Sequence, residues 1–241
     1  MLLLLNFLPA VGCLVVFFIK DRKTAQAMSL LWSLFVFNYS ICLLFAFDAS
    51  NSWYQLVYEL RWIDSNNVFL SLAVDGLSLS LIILTAFLIP ICVLLSWNNT
   101  VYKKAKQYVL CYLIMESFLF GIFTSLDLLL FYVFFEAVLI PMFLIIGIFG
   151  SRSRRIRASY LLFLYTLFSS FFMFLAILFI YYKTGTTDYV VLKTIQLSSL
   201  EEKLCWLGFF SSFAVKMPLV PVHIWLPEAH CEAPTSGSVI L

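Results

Sequence analysis

The sequence predicts an all-α transmembrane protein of about seven spans, and two observations carry that expectation. Of its 241 residues, 63% are hydrophobic and 12% charged, with a mean hydropathy of +1.01. A soluble domain carries about 25% charged residues, so this chain has too few to clothe a water-facing surface. The apolar residues also gather in blocks of about 20, the length of helix that crosses a hydrocarbon layer of roughly 30 Å.

The expected spans run from Leu2 to Ile19, Met28 to Phe47 and Leu72 to Trp97. The block from Tyr108 to Phe149 would reach roughly 60 Å as one helix, so it is expected to be two spans turning at Asp127. Ala158 to Tyr182 forms the sixth span. The seventh starts near Leu204 and meets Pro218 and Pro221, which break it, and the chain then begins an eighth. Asp75-Gly76-Leu77-Ser78 precedes an apolar run and reads as a helix cap, while Pro90 is expected to kink the helix that follows. Residues 183–203 read as a surface loop with a short helix along the interface. The opening Met-Leu-Leu-Leu-Leu has no basic region before it, so the first apolar run is expected to be a retained span.

Loop charge sets an orientation. Lys20, Arg22, Lys23, Lys103, Lys104, Lys106, Arg152, Arg154, Arg155 and Arg157 all fall in odd-numbered loops, against Arg61, Lys183, Lys193 and Lys203 in the alternate ones. Odd loops are therefore expected on the cytoplasmic or matrix side. The helices divide at the second basic loop, residues 1–107 holding spans 1–3 and residues 108–241 the first part of a transport repeat.

Several classes are excluded. A formal charge of +2 gives no case for nucleic-acid binding. The six cysteines form no C-x-x-C pair and read as buried thiols rather than disulfides or cluster ligands. No G-x-G-x-x-G, P-loop or nucleophile elbow occurs, so no cofactor site is expected in this chain.

The informative charges are the deep ones, because a charge at mid-bilayer costs at least about 2.5–3.5 kcal/mol. Glu136, in Phe134-Phe135-Glu136-Ala137-Val138, lies about 13 Å along a helix from Asp127. It is either an inert protonated carboxyl between helices or a proton carrier. Lys216, about 20 Å from Lys203, either snorkels to the far interface or gains and loses a proton beside the helix break. Intramembrane ionisable groups are mostly found on ion paths, which favours the second reading of each. Glu116 is also deep and is either a path residue or a helix–helix hydrogen bond. In the polar patch from Val222 to Pro234, His223 and His230 are candidate proton relays, with capping and packing roles equally open. His230, Cys231 and Glu232 match no zinc spacing.

These motifs resemble a known family. Asp127 through Phe131-Tyr132-Val133-Phe134-Phe135-Glu136 to Pro141-Met142-Phe143 is similar to the fifth helix of the antiporter-like subunits of respiratory complex I. Phe213-Ala214-Val215-Lys216-Met217-Pro218 through His223-Ile224-Trp225-Leu226-Pro227-Glu228-Ala229-His230 resembles their broken seventh helix. Ala233-Pro234-Thr235 to Leu241 resembles the start of the eighth, and Val74-Asp75-Gly76-Leu77-Ser78 the beginning of the third. Subunit 4 is matched better than its sisters, subunits 2 and 5.

The resemblance implies half of a fourteen-helix fold built from inverted repeats, with the family's key glutamate on Glu136 and its key lysine on Lys216. It implies proton translocation driven by NADH-to-ubiquinone electron transfer, with NADH, FMN, iron–sulfur clusters and ubiquinone held by partner subunits. Family members run to about twice this length, so a second polypeptide carrying the C-terminal half is expected, beside subunits 2 and 5 and the membrane lipids. The Phe-rich composition suggests a mitochondrial inner membrane. A stand-alone cation/proton antiporter subunit is the alternative. A scaffold that has lost transport is a third reading, opposed by the retained deep charges.

Overall fold

The computed structural model describes residues 1–51, 53–63, 68–97, 104–150 and 153–241. Lys103 and Arg152, two of the counted loop charges, lie outside them.

Eleven helices and one hairpin follow in order among the described residues. α1 (Leu2–Phe18) and α2 (Arg22–Ala46) are separated by a tight turn in which Asp21 caps α2 by accepting from the Thr24 amide at 3.2 Å. The expected start of the third span at Leu72 is wrong. An antiparallel hairpin, β1 (Gln55–Ile63) and β2 (Val68–Val74), occupies that stretch and pairs Tyr58 with Leu72 and Leu60 with Leu70. The all-α expectation fails here too. Alternating, β-branched and aromatic residues such as Leu56-Val57-Tyr58-Glu59-Leu60 suit a half-buried strand, and hydropathy alone does not separate such a run from a helix. The backbone polar groups of the hairpin pair with one another and with the protein: Leu126 donates its amide to Ser71 O at 2.9 Å.

α3 (Gly76–Leu95) starts at Asp75, whose side chain accepts from the Ser78 amide at 2.7 Å, and runs helically through Pro90. α4 (Ala105–Thr124) crosses next. The apolar block after Asp127 forms two helices, α5 (Leu128–Ala137) and α6 (Leu139–Phe149), which together make 22 residues. Pro141 has no N–H for the Ala137 carbonyl four residues earlier, which accounts for the interruption at Val138. α7 (Arg155–Thr184) is the longest helix, and the one-turn α8 (Tyr189–Leu192) lies in the polar stretch that follows it. A capping box between Ser198 and Glu201 starts α9 (Ser199–Lys216). After a non-helical segment containing Pro218 and Pro221 come α10 (Trp225–Glu232) and α11 (Thr235–Ile240).

Five of these units are long and apolar enough to cross a membrane: α2, α3, α4, the α5–α6 pair and α7. α1 is apolar but 17 residues long, and α9 has 18 residues with charges in its first and last turns. Their outward faces carry large apolar side chains such as Phe18, Phe45, Leu31 and Phe168, a surface that lipid solvates and water does not.

Among the described residues, two large cores and three smaller ones hold the helices together. One packs α1, α2, β2, α3 and α4 around Leu5, Val36, Ile82 and Phe120. The other joins α3, α4, α6, α7 and α10 around Tyr108, Tyr112, Ile145, Phe149 and Trp225. The second spans the division at residue 107, so helices on both sides of it share one interior. α7 and α9 come close at Gly208, where a Cβ would sit 2.9 Å from both the Phe172 carbonyl oxygen and the Ala176 Cβ.

Candidate functional site: a carboxylate and a lysine at two helix breaks

Asp127 begins the site by starting α5. One of its carboxylate oxygens accepts the amides of Leu129 and Leu130 at 2.8 and 3.0 Å, and the other accepts the Thr187 hydroxyl. The Leu128 amide donates to Thr187 O at 3.0 Å and the Tyr189 amide to Leu126 O at 2.9 Å. The segment between α7 and α9 is thereby fastened to the first turn of α5. Two and a half turns further along, Glu136 occupies the last turn of α5, next to the interruption at Val138.

Lys216 is the last residue of α9, where a cation is favoured by the helix dipole. It reaches the same place as Glu136. Its Nζ donates to the Phe135 carbonyl oxygen at 2.7 Å and lies 3.2 Å from the centre of the Phe135 ring. That carbonyl belongs to the peptide group joining Phe135 to Glu136. The ammonium therefore docks on backbone immediately beside the carboxylate, and the two side chains act on each other electrostatically. They form no ion pair: the described residues contain one, Lys183 with Glu201 at 2.7 Å, in the surface segment. Both groups are half-buried, and Glu136 Oε1 is sealed from solvent without a hydrogen-bond partner. The Ser170 hydroxyl of α7, which donates to Leu167 O at 2.9 Å, stands near Glu136 and Tyr132. Phe131, Phe135 and Phe213 close the site with mutual ring contacts at 5.4 to 6.5 Å.

A charge here is worth far more than in water, since the interaction of two unit charges at 4 Å rises from about 1 kcal/mol in bulk water to about 4 kcal/mol near a protein surface. A small movement of the Lys216 stem, from carbonyl to carboxylate, would change the field at Glu136 and favour the charged form of both groups. The reverse movement would favour proton release from lysine and uptake by glutamate.

The other candidates lie elsewhere. Glu116, in α4, is fully buried with neither carboxylate oxygen hydrogen-bonded, and it is not among the groups acting on Glu136. One and two turns before it stand Tyr112 and Tyr108. Tyr112 donates to the Tyr108 hydroxyl at 2.9 Å, and Tyr108 shares a short hydrogen bond with Ser236 of α11. His223 lies in the break after α9, with its Nδ1 buried and unpartnered. His230 is exposed near the end of α10. Trp225 ties the two sides of the break together, its Nε1 donating to Val215 O at 2.8 Å. Ser170 and Phe135 escaped the sequence reading. The only hint of the first is a run of hydroxyls, Ser159, Thr166, Ser169 and Ser170, on an otherwise apolar helix; the second acts through its backbone, which no side-chain pattern reveals.

A carboxylate at one helix interruption and a lysine at another, inside a bundle of apolar spans, are what the resemblance to the antiporter-like subunits implies. Known proteins agree. Residues 125–241 match the family described as NADH:quinone oxidoreductase/Mrp antiporter, transmembrane. The chain is 51% identical over 235 residues to NADH-ubiquinone oxidoreductase chain 4 of Arabidopsis thaliana, covering 97% of this chain and 47% of that protein. It is 49% identical over 239 residues to chain 4 of Marchantia polymorpha, covering 98% and 48%. It is therefore similar along nearly its whole length to the NADH-ubiquinone oxidoreductase chain 4 proteins, and spans about half the length of the curated relatives it matches. Among solved structures, respiratory complex I from Thermus thermophilus contains a chain that superposes with a TM-score of 0.87 at 28% identity, covering 99% of this chain and 49% of that one. A chain of an archaeal membrane-bound sulfane sulfur reductase, 23% identical with a TM-score of 0.83, shares the fold.

Proposed function

We propose that this chain is the proton-translocating half of a complex I chain 4 subunit, in which Glu136 and Lys216 form the coupled pair. The docking of Lys216 on the carbonyl beside Glu136 carries this reading. Lysine drawn to the Phe135 carbonyl leaves the glutamate to take up a proton; lysine drawn to the carboxylate holds both groups charged. Alternation between the two arrangements passes protons when an outside process drives it. That process is electron transfer from NADH to ubiquinone through flavin and iron–sulfur centres in partner subunits. Glu116, His223 and His230 are secondary proton carriers on this reading, and His223, at the break beside Lys216, is the best placed of them.

The remaining assignments rest on the family. The bundle is seven spans of a fourteen-helix fold together with the beginning of an eighth, with residues 1–107 as the N-terminal helices and 108–241 as the first part of the transport repeat. Neighbouring subunits 2 and 5 flank it, and the assembly sits in the mitochondrial inner membrane.

Glu136→Gln and Lys216→Met in the assembled complex test the pair. Each should abolish most proton pumping while leaving the amount of complex unchanged; normal pumping in both would overturn the proposal. Purification of the complex tests the partners. Flavin and iron–sulfur subunits are expected. Their absence would favour a stand-alone antiporter.

A further inference from the structure

We infer that Glu232 is a proton-uptake carboxylate on the arginine-loop side of the membrane, receiving protons from a polar cavity and passing them inward along α10. The inference rests on the proton-translocation reading above and adds a point of supply to it.

Glu232 closes α10 and is 3% exposed, with its Oε2 buried and without a hydrogen-bond partner. A carboxyl kept for structure alone is expected to have its oxygens hydrogen-bonded, because an unsatisfied buried acceptor costs about 1–3 kcal/mol. Glu232 also lines a cavity of about 290 Å³ together with Ser153, Arg154, Pro227, Glu228 and Cys231. This cavity lies where the third basic loop meets α10, which is the side that loop charge assigns to the cytoplasm or matrix.

The position of Glu232 is fixed by backbone. A Cβ on Gly150 would fall 2.8 Å from the Glu232 carbonyl oxygen and 2.7 Å from the Arg155 Cβ, so the end of α10 is pressed against the turn between α6 and α7. Arg155 secures that turn by donating to Ile148 O and Gly150 O, each at 3.1 Å. The charged and titratable groups around Glu232 are Arg154 and Arg155 from this turn, Glu228, His230 and Cys231 from α10, and Tyr108 of α4 in the core beneath. No ion pair among the described residues ties Glu232 to either arginine.

The inward direction follows from the other end of the helix. Eight residues of helix span about 12 Å. At the start of α10, Trp225 is pinned to Val215 O, the carbonyl of the residue before Lys216, and two residues earlier His223 holds another buried, unpartnered polar atom, Nδ1. An orphaned proton-binding atom therefore stands at each end of this short helix, one at the surface cavity and one in the break that separates it from α9. The transfer is balanced: hydrated protons in the cavity protonate the carboxylate, and the resulting acid gives up the same proton through water toward His223 and Lys216.

Two substitutions in the assembled complex test this. Glu232→Gln keeps the shape and removes the proton. It should lower coupled turnover about a hundredfold, the lower end of what a positioned proton-transfer group contributes. The residual rate should rise in proportion to the bulk proton concentration over a range where the parent is flat. Glu232→Asp keeps the acid and should retain at least half the parental rate. A Gln variant that pumps at the parental rate overturns the inference, as do Gln and Asp variants equally slow in an intact complex. In the parent, where variant folding plays no part, dicyclohexylcarbodiimide attacks protonated carboxyls in apolar surroundings and should modify Glu232 during turnover; a Glu232 left unmodified also overturns it. Lys216→Met serves as the control. If it stops pumping while Glu232→Gln does not, the uptake role alone fails; if Lys216→Met and Glu136→Gln both pump normally, the translocation reading itself fails.

Discussion

Replacing Asp127 by alanine should release both the first turn of α5 and the segment that follows α7. The wild-type carboxylate is 2% exposed and accepts two backbone amides and one hydroxyl. Loss of a helix cap costs about 0.5–2 kcal/mol, and loss of a buried hydrogen bond to a charged group about 1.5–3 kcal/mol. Part of each is recovered by relaxation, so the local penalty is about 2–4 kcal/mol. At 1.4 kcal/mol per factor of ten, that accelerates exchange of the Leu129 and Leu130 amides roughly 30- to 700-fold. Hydrogen exchange of the intact complex, read by mass spectrometry on peptides covering residues 126–131 and 186–191, measures it. Asn caps helices as well as Asp and also accepts from a hydroxyl, so Asp127→Asn should shift exchange by less than about tenfold. Unchanged exchange in the alanine variant, or equal acceleration in both variants, would refute the idea that this side chain fastens the segment to α5.

Gly208→Ala places a methyl 2.9 Å from the Phe172 carbonyl and the Ala176 Cβ, so α7 and α9 must separate. The overpacking should cost about 1–3 kcal/mol and lower the thermal stability of the complex. Tyr108→Phe removes the acceptor of the Tyr112 hydroxyl and the partner of Ser236. It should loosen α11 by about 1–3 kcal/mol, read as faster amide exchange over residues 235–241. Trp225→Phe deletes the bond to Val215 O and should cost about 1 kcal/mol, with faster exchange across the break between α9 and α10. In the loop after α2, the Ser50 hydroxyl and amide donate to Asp48 and hold its carboxyl below its ordinary pKa. The folded pKa being the lower one, the turn is fully stabilised above the ordinary value of about 3.9 and loses that support as pH falls through the folded pKa, which the exchange rate of the Ser50 amide would follow.

The sequence disclosed what depends on local chemistry. Asp75 and Asp127 are acids placed just before apolar runs, and both cap helices. Lys216 stands before two prolines, and α9 ends on it. The hairpin was hidden because residues 68–74 are as apolar as the helix behind them. Period-two patterning weakens where one stretch of strand packs against the protein on both faces, and Leu72, Ala73 and Val74 are all buried. The docking of Lys216 was illegible for another reason. Its acceptor is a carbonyl, and every residue carries one. Which carbonyl a lysine finds depends on how α9 packs against α5, and that depends on long-range contacts such as the one at Gly208. Glu232 stood in plain view as a polar residue in a polar patch; only three-dimensional packing shows that it is almost wholly buried at the edge of a cavity.

The resting place of Lys216 is an oxygen that no codon specifies. Any amino acid at position 135 would present the same atom, so exchanging Phe135 alters the ring beneath the ammonium and leaves its landing point intact. A suppressor screen confined to that residue would recover changes in hydration and ring contact. Relocating the landing point itself takes an insertion or deletion in α5, which shifts the whole helix by a residue and carries Glu136 along with it.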